Sequence, residues 1–582
     1  MNLFKKLKIN RLSASFWGYV LVILAIVAPW LLHSGYLFLT DMVWGANINL
    51  NWTNVWFLFN LITKGLSFIF PLALLEKFFV SGVFIFILLG GRIFVKTVLE
   101  YYSDSNGGRD SGFNNNSETK ASDIASQSLI FVISLFTLFN PFVYDRALYG
   151  QFSVLVAYGC LFFVSAYLFK AWQTLDFNNL RRAAVFSAIA LLFAVHSVFF
   201  LALFYLLFFI LLFLKRQEII ILKSVKKFWL ALFFSLVIVL LINVNWLIAL
   251  AFKNSSLNSF IRQGITAQDL IAFQTAGQKG TETFSNVLLM SGFWGKEQSR
   301  YFDLTDAPGW QRGFILLTPL IFYGVYLSFK KHGRNEKILS AGLILIFSLA
   351  VLLAVGVKSP ATGGLAIFLY DHLPLYKGLR EPQKWVAVII PIYLFYLTLG
   401  ASRLKDFKLI RNNRGLAAVI LAAVIIMQAP SLLWGFNNQA KSTPYPRDWY
   451  EVDSFLVNQA NQSYGCSDKI LFLPWHMYLS FNWVGKVIVN PASVFFSCPV
   501  VIGTNMEFGG IYDNSQNPDS RVITAWLSSA GQGGAPKVSG AAPRYIILAK
   551  EVDWKKYDWL NDLSYLRLIK ETATLLVYEI KS

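Results

Sequence analysis

The 582-residue chain reads as an all-α polytopic membrane protein, with about eleven transmembrane helices, carrying a C-terminal α/β domain. Three observations predict this. Hydrophobic residues make up 56% of the chain and charged residues only 14%, where a soluble globular protein carries about a quarter charged. Many apolar runs reach the roughly 17–25 residues that cross a bilayer as a helix. Lys and Arg gather in alternate loops, the charge bias that sets membrane orientation.

The start is basic (Lys5, Lys6, Lys8, Arg11) and is expected to stay in the cytoplasm. No small-residue cleavage site follows the first apolar run, so 15–32 reads as a retained first span. A Trp- and Asn-rich outer loop, 33–77, follows with Asp41, Trp44, Asn47, Asn49 and Trp52. Residues 66–75 are apolar but too short to cross, and read as a surface helix ended by Glu76-Lys77. The second span is 78–95. The Gly/Asn/Ser-rich stretch 103–122 after it reads as a disordered cytoplasmic loop.

Spans at 124–139 and 152–168 flank the outer loop 140–151. The run 183–214 is too long for one span and divides at His196-Ser197 into the fifth and sixth. The seventh is 228–252, followed by a long outer loop, 253–312. The remaining spans are 313–329, 338–355, 385–399 and 415–433, with the outer loop 356–383 before the tenth. With the N-terminus inside, the loops expected in the cytoplasm hold most Lys and Arg. The opposite loops hold Asp41, Asp145, Asp269, Glu282, Glu297, Asp303, Asp306, Asp371 and Glu381. The net charge of +19 is thereby topological, and nucleic acid is not an expected partner.

Residues 1–433 form the membrane domain on this reading, and 434–582 an extracytoplasmic α/β domain. The latter shows a helix over 448–459 and strands at 469–473, 487–490, 500–503, 545–549, 566–569 and 575–578. Of three cysteines, Cys160 lies inside a span; Cys466 and Cys498 are disulfide candidates if their region is in an oxidising compartment.

The chain has no P-loop ending, no His-Glu-x-x-His and no Cys-x-x-Cys. Polar residues gather instead at the expected outer ends of spans: Asp41, Asp145-Arg146, His196-Ser197, Asn243, Asn245, and Arg380, Glu381 and Lys384. One outward-facing site is expected from them, with carboxylates for proton abstraction or metal binding and cations for a phosphate. Each also has a plainer use. Asp145-Arg146 suits a local ion pair, His196 a backbone hydrogen bond at a helix break, and Glu381-Pro382 a helix cap.

Three stretches resemble the GT-C superfamily of integral-membrane glycosyltransferases, in particular its bacterial arabinofuranosyltransferase-like branch. They are Thr40-Asp41, Asn140-Pro-Phe-Val-Tyr-Asp-Arg-Ala-Leu-Tyr-Gly-Gln151 and Leu379-Arg-Glu-Pro-Gln-Lys384. The resemblance implies a hexosyl- or pentosyltransferase of the plasma membrane. Its donor would be a polyprenyl-phosphate sugar, and its acceptor an extracytoplasmic glycan, lipid or protein. It makes Asp41 the general base or a metal ligand, and Arg146, Arg380 and Lys384 the ligands of the lipid phosphate. Asp145 or Glu381, with His196 nearby, would complete a site for a divalent cation, Mg or Mn, which stays unassigned. A flippase for lipid-linked sugars, or a non-catalytic scaffold of cell-envelope polysaccharide assembly, are the alternatives. Coupled transporters place ionisable groups near the bilayer midplane, and most spans here are free of charge there.

Overall fold

A helix in lipid satisfies its own backbone, so apolar runs of sufficient length become spanning helices. The computed structural model describes residues 14–48, 50, 56–104, 127–221, 225–251, 267–277, 280–330, 333–406, 413–459, 466, 468–508, 511–513, 517–538 and 542–581. The expected loop 103–122 lies almost wholly outside the described residues, as does the start of 253–312. Among the described residues seven helices are long and apolar enough to cross a membrane. Two bent pairs would each add one: Gln127–Thr137 with Pro141–Leu148, at 53°, and Gly415–Ile426 with Pro430–Asn437, at 78°.

Among the described residues the expected count of eleven is therefore corrected to seven, or nine with the bent pairs. The other two expected spans are short helices. The helix Ala14–Leu31 has 18 residues and begins where the described residues begin, and Asn178–Phe193 has 16 residues with Arg181 and Arg182 near its start. At about 1.5 Å per residue such a helix is shorter than the roughly 30 Å hydrocarbon core. The division at His196-Ser197 is present, since the next helix is Ser197–Leu214.

The surface helix expected at 66–75 is also corrected. The short helix of the first loop is Phe57–Leu66. Leu72–Asp104 is one helix of 33 residues that carries Glu76 and Lys77 inside its first turns. Both side chains are buried, and the loop before the helix satisfies them. Glu76 Oε2 accepts from the Leu37 amide at 2.8 Å, and Lys77 donates to the His33 carbonyl. A charge pattern alone cannot show that a loop will fold back over a helix start.

The helix Val386–Ser402 runs through the middle of the bundle, with every residue from Val386 to Ala401 buried. It crosses Arg312–Lys330 at two glycines. A Cβ on Gly324 would lie 1.9 Å from the Tyr396 carbonyl oxygen, and one on Gly400 1.9 Å from that of Leu320. Close backbone approach is what small residues provide in membrane helix pairs. Gly400→Leu is expected to abolish recovery of folded protein from membranes, measured as the monodisperse fraction in detergent, while Gly364→Leu, where nothing lies within 4 Å, leaves it unchanged.

The C-terminal region forms a three-layer α/β unit. Its five-stranded sheet runs Leu566–Glu571, Leu575–Ile580, Tyr545–Ala549, Ile470–Leu473, Val500–Val501. The first two pairings are antiparallel and the last two parallel. Alternate residues face opposite layers, as the strand period of two requires. Phe472, Ile547 and Val577 pack with Trp449 and Leu456 of the helix Arg447–Gln459. Leu471, Ile546 and Leu576 pack with Ile523 and Trp526 of Pro518–Ser528. Cys466 and Cys498 are joined as a disulfide next to the neighbouring strands Ile470–Leu473 and Val500–Val501.

The loop after the first helix is built into this unit. Tyr36–Leu37 pairs antiparallel with Ser442–Thr443, and Tyr36 and Phe38 join the Trp449 core. The Val489 amide donates to the Thr40 carbonyl at 2.8 Å, and the Asn47 amide to the Val494 carbonyl at 2.9 Å. Asp41 thus sits where the end of the helix bundle meets the C-terminal unit.

Candidate active site

The stretch 140–151 makes a helix break that local chemistry explains. Asn140 is extended and caps Pro141–Leu148, its side chain accepting from the Val143 amide at 3.0 Å, with Pro141 in the first turn. Cap and first-turn proline are the usual helix start. The helix ends before Gly150, which has φ +81°, where a Cβ would lie 2.7 Å from the Met42 Cβ. The glycine lets the two chains touch, and the Asp41 amide donates to the Tyr149 carbonyl at 2.8 Å. Gln151 is thereby placed between Asp41 and Glu381.

Asp41 is half-buried. Its Oδ2 accepts from Gln151 Nε2 at 2.9 Å, and its Oδ1 from the Tyr478 hydroxyl at 2.8 Å. Burial raises its pKa above the ordinary carboxylate value and Glu381 adds to this, outweighing the two hydrogen bonds and Arg300. Thr40 beside it shares a 3.0 Å hydrogen bond with the Tyr301 hydroxyl.

Glu381, 5% exposed, is the centre of a buried polar network. Arg146, fully buried, donates to it, to Gln151, and to Gln383 Oε1 at 2.6 Å. Trp294 Nε1 donates to Glu381 at 2.9 Å, and Lys384 lies 3.0 Å from its other oxygen. Lys384 also donates to the Gly378 carbonyl at 3.1 Å. The Arg146 guanidinium stacks on Phe293 at 4.5 Å. Burial pushes the Glu381 pKa up, but Lys384, Arg146 and Arg380 together hold it well below the ordinary value.

The other expected residues stand around this core. Arg380, 24% exposed, pairs with Asp269 at 3.4 Å and lies over Phe273 at 4.7 Å. His196 packs beside Gly378, its Nε2 without a hydrogen-bond partner among the described residues. Burial, reinforced by Lys384, holds its pKa well below the ordinary value, so it is neutral. Asp145 interacts electrostatically with Asp303 and Lys296 and makes no direct bond to Asp41. Asn243 is used inside the bundle, donating to the Ala188 carbonyl at 3.1 Å.

Among the described residues no three His, Cys, Asp or Glu side chains converge on a metal position. The Glu381 oxygens are already held by Arg146, Trp294 and Lys384.

Four site residues escaped the sequence reading. Gln151 and Gln383 lie inside stretches that were singled out, yet an amide carries no charge to draw notice. Trp294 and Tyr478 arrive from remote parts of the chain, with no local signal. Tyr478 begins a strand two residues after His476, which two acids clamp. His476 Nδ1 lies 2.8 Å from Glu507 and Nε2 3.3 Å from Asp553. The Glu507 hydrogen bond, with both negative charges, raises the His476 pKa against the effect of burial. A raised histidine value stabilises fully below about 6.5, and the gain is lost as pH climbs through the folded-state value. The melting temperature is expected to fall across that window, and His476→Gln to flatten this part of the profile. An unchanged profile would refute the clamp.

No known family model matches the chain, and no curated protein matches it in sequence. Solved structures do. The cryo-EM structure of the arabinofuranosyltransferase AftD from mycobacteria superposes with a TM-score of 0.56 at 12% identity, over 98% of this chain and 40% of that one. This chain thus spans about two fifths of the length of that relative. ArnT from Cupriavidus metallidurans, bound to undecaprenyl phosphate, aligns over 97% of this chain and 98% of its own at a TM-score of 0.37 and 11% identity. The Archaeoglobus fulgidus oligosaccharyltransferase aligns over 97% and 69%, at 0.31 and 12%. The chain has the GT-C fold, a multi-pass membrane bundle with a sheet-containing C-terminal region.

Proposed function

We propose that this protein is a membrane glycosyltransferase that moves a sugar from a polyprenyl-phosphate donor to an acceptor hydroxyl outside the cytoplasm. The observation that carries this reading is Asp41. A carboxylate with a raised pKa is held by two hydrogen bonds at the junction of a GT-C bundle and its C-terminal unit. A general base works best when its pKa lies near the working pH, and burial moves Asp41 in that direction.

In this scheme Asp41 takes the proton of the acceptor hydroxyl. The acceptor oxygen bonds to the anomeric carbon, and the bond from that carbon to the phosphate oxygen breaks. Polyprenyl phosphate leaves with the electron pair. The donor supplies its own activation, so no nucleotide site is needed. Arg146 lies too deep to touch a substrate; with Gln383 it fixes Glu381 and Gln151, and Gln151 fixes one Asp41 oxygen. Partly exposed Arg380 and buried Lys384 supply positive charge nearby, tempered by Asp269 and Glu381.

The test is transfer by purified protein in lipid nanodiscs from a panel of polyprenyl-phosphate pentoses and hexoses to oligosaccharide acceptors. Turnover with one donor is the expected result. Saturable binding of such a donor without turnover would favour the scaffold or flippase reading instead.

A further inference from the structure

The acids Glu381 and Asp269 offset the cations that the sequence singled out. Arg146 and Lys384 share Glu381, and Arg380 has Asp269. Two other cations beside Asp41 have no acid within ion-pair distance among the described residues. They are Arg300, from the long outer loop, and Lys486, from the strand Lys486–Val489. Arg300 lies over the Tyr478 ring at 5.5 Å, and Lys486 over the Tyr301 ring at 5.8 Å.

Those two tyrosines hold Thr40 and Asp41. The Tyr478 hydroxyl donates to Asp41 Oδ1 at 2.8 Å, and the Tyr301 and Thr40 hydroxyls are 3.0 Å apart. Arg300 is therefore one side chain removed from the candidate base, and Lys486 one side chain removed from its neighbour Thr40. Arg300 acts on Asp41 electrostatically without pairing to it. Lys486 is half-buried, and its Nζ donates to a backbone carbonyl, that of Gln439, at 3.2 Å. The charged group acting on it is Lys441, another cation. Burial and that repulsion push Lys486 down to about 8. Partly buried cations that pair with no anion are costly unless a ligand brings the charge.

We propose that Arg300 and Lys486 form a subsite for a substrate oxyanion, a phosphate or a carboxylate, beside Asp41. The inference rests on Asp41 marking the reaction centre. A guanidinium offers a two-pronged donor set and an ammonium a compact point charge, a pairing that suits either oxyanion. Two sources carry one. The donor's lipid phosphate would have the charge that grows on departure met here. An acidic sugar of the acceptor would make the substrate an anionic glycan.

The experiment uses the full chain in neutral-lipid nanodiscs, as wild type, Arg300→Gln, Lys486→Met and the double variant. Binding of three probes is measured by calorimetry: undecaprenyl phosphate, tetragalacturonate and uncharged galactotetraose. The double variant is expected to bind one anionic probe at least tenfold more weakly, with galactotetraose unaffected and melting unchanged. The probe that weakens identifies the source. Where the double variant melts early, the two single variants carry the same reading, and Lys486→Arg is expected to retain binding. Equal binding of both anionic probes by wild type and variants overturns the subsite, as does an equal loss for the neutral sugar, or failure of both anions to bind wild type. Asp41→Asn separates the two readings. Full transfer by it, with anion binding lost in the double variant, would remove the base and keep the subsite.

Discussion

Asp41→Asn is expected to lose sugar transfer by about 10²–10⁴-fold, the usual contribution of a positioned general base, while melting no lower than wild type. The two halves of this expectation come from the same electrostatics. Burial and Glu381 raise the Asp41 pKa against the hydrogen bonds from Gln151 and Tyr478 and the pull of Arg300. The folded state therefore favours the neutral carboxyl. Its contribution to stability is present below the ordinary carboxylate pKa and is lost as pH rises through the elevated one. Ionised Asp41 is an unfavourable group held in place for use. An amide keeps the shape and removes the cost, as in the common trade between active-site chemistry and stability. The working form is ionised, so kcat/KM is expected to climb with pH through the raised value. Steady-state transfer rates across pH, with melting curves of both proteins, check this. Wild-type turnover by the asparagine variant would end Asp41's candidacy as the base. A large drop in its melting temperature would mean a structural role instead.

Glu381→Leu is expected to destabilise the protein by about 3–5 kcal/mol, the cost of leaving buried charge uncompensated. Glu381 faces Arg146 at one oxygen and Lys384 at the other. Removing it leaves two cations together in a buried site. Arg146→Leu breaks its own ion pair with Glu381 but leaves Glu381 paired with Lys384, so no charge is left without a counter-ion and it is expected to cost less. This ranking, from thermal or denaturant unfolding of both variants in one detergent, separates a charge network from mere packing, for which loss of the larger Arg146 side chain would cost more. The pH sign follows from the lowered Glu381 pKa. Its stabilisation is complete above the ordinary glutamate value of about 4.3 and fades only as pH falls through the depressed one. Between pH 5 and 8 the network is expected to be insensitive to pH. Transfer activity should fall with stability in Glu381→Leu, because Gln151 links this network to Asp41.

Much of this was legible along the chain because it is local. Runs of apolar residues mark helices in lipid whatever surrounds them, and the break at His196-Ser197 lies where a run outgrows one crossing. Short apolar, β-branched runs marked Tyr545–Ala549 and Ile470–Leu473 with little error. Asp41, Arg146, Glu381 and Lys384 were noticed because charge is rare in such a chain.

Other features were set by contacts distant in sequence. Whether Glu76 and Lys77 end a helix or sit inside one depends on the Leu37 amide and the His33 carbonyl folding over them. That Arg146 and Lys384 serve Glu381 before any ligand depends on three-dimensional pairing. Tyr478 meets Asp41 across 437 positions of sequence, carried there by a hairpin of the C-terminal unit. Hydropathy and charge patterns therefore determined the fold class and most of the residues that gather at the site. Only the tertiary structure decided their partners, because pairing and burial are properties of neighbours in space, and these set whether a carboxylate is a spent counter-ion, as Glu381 is, or one poised to take a proton, the role proposed for Asp41.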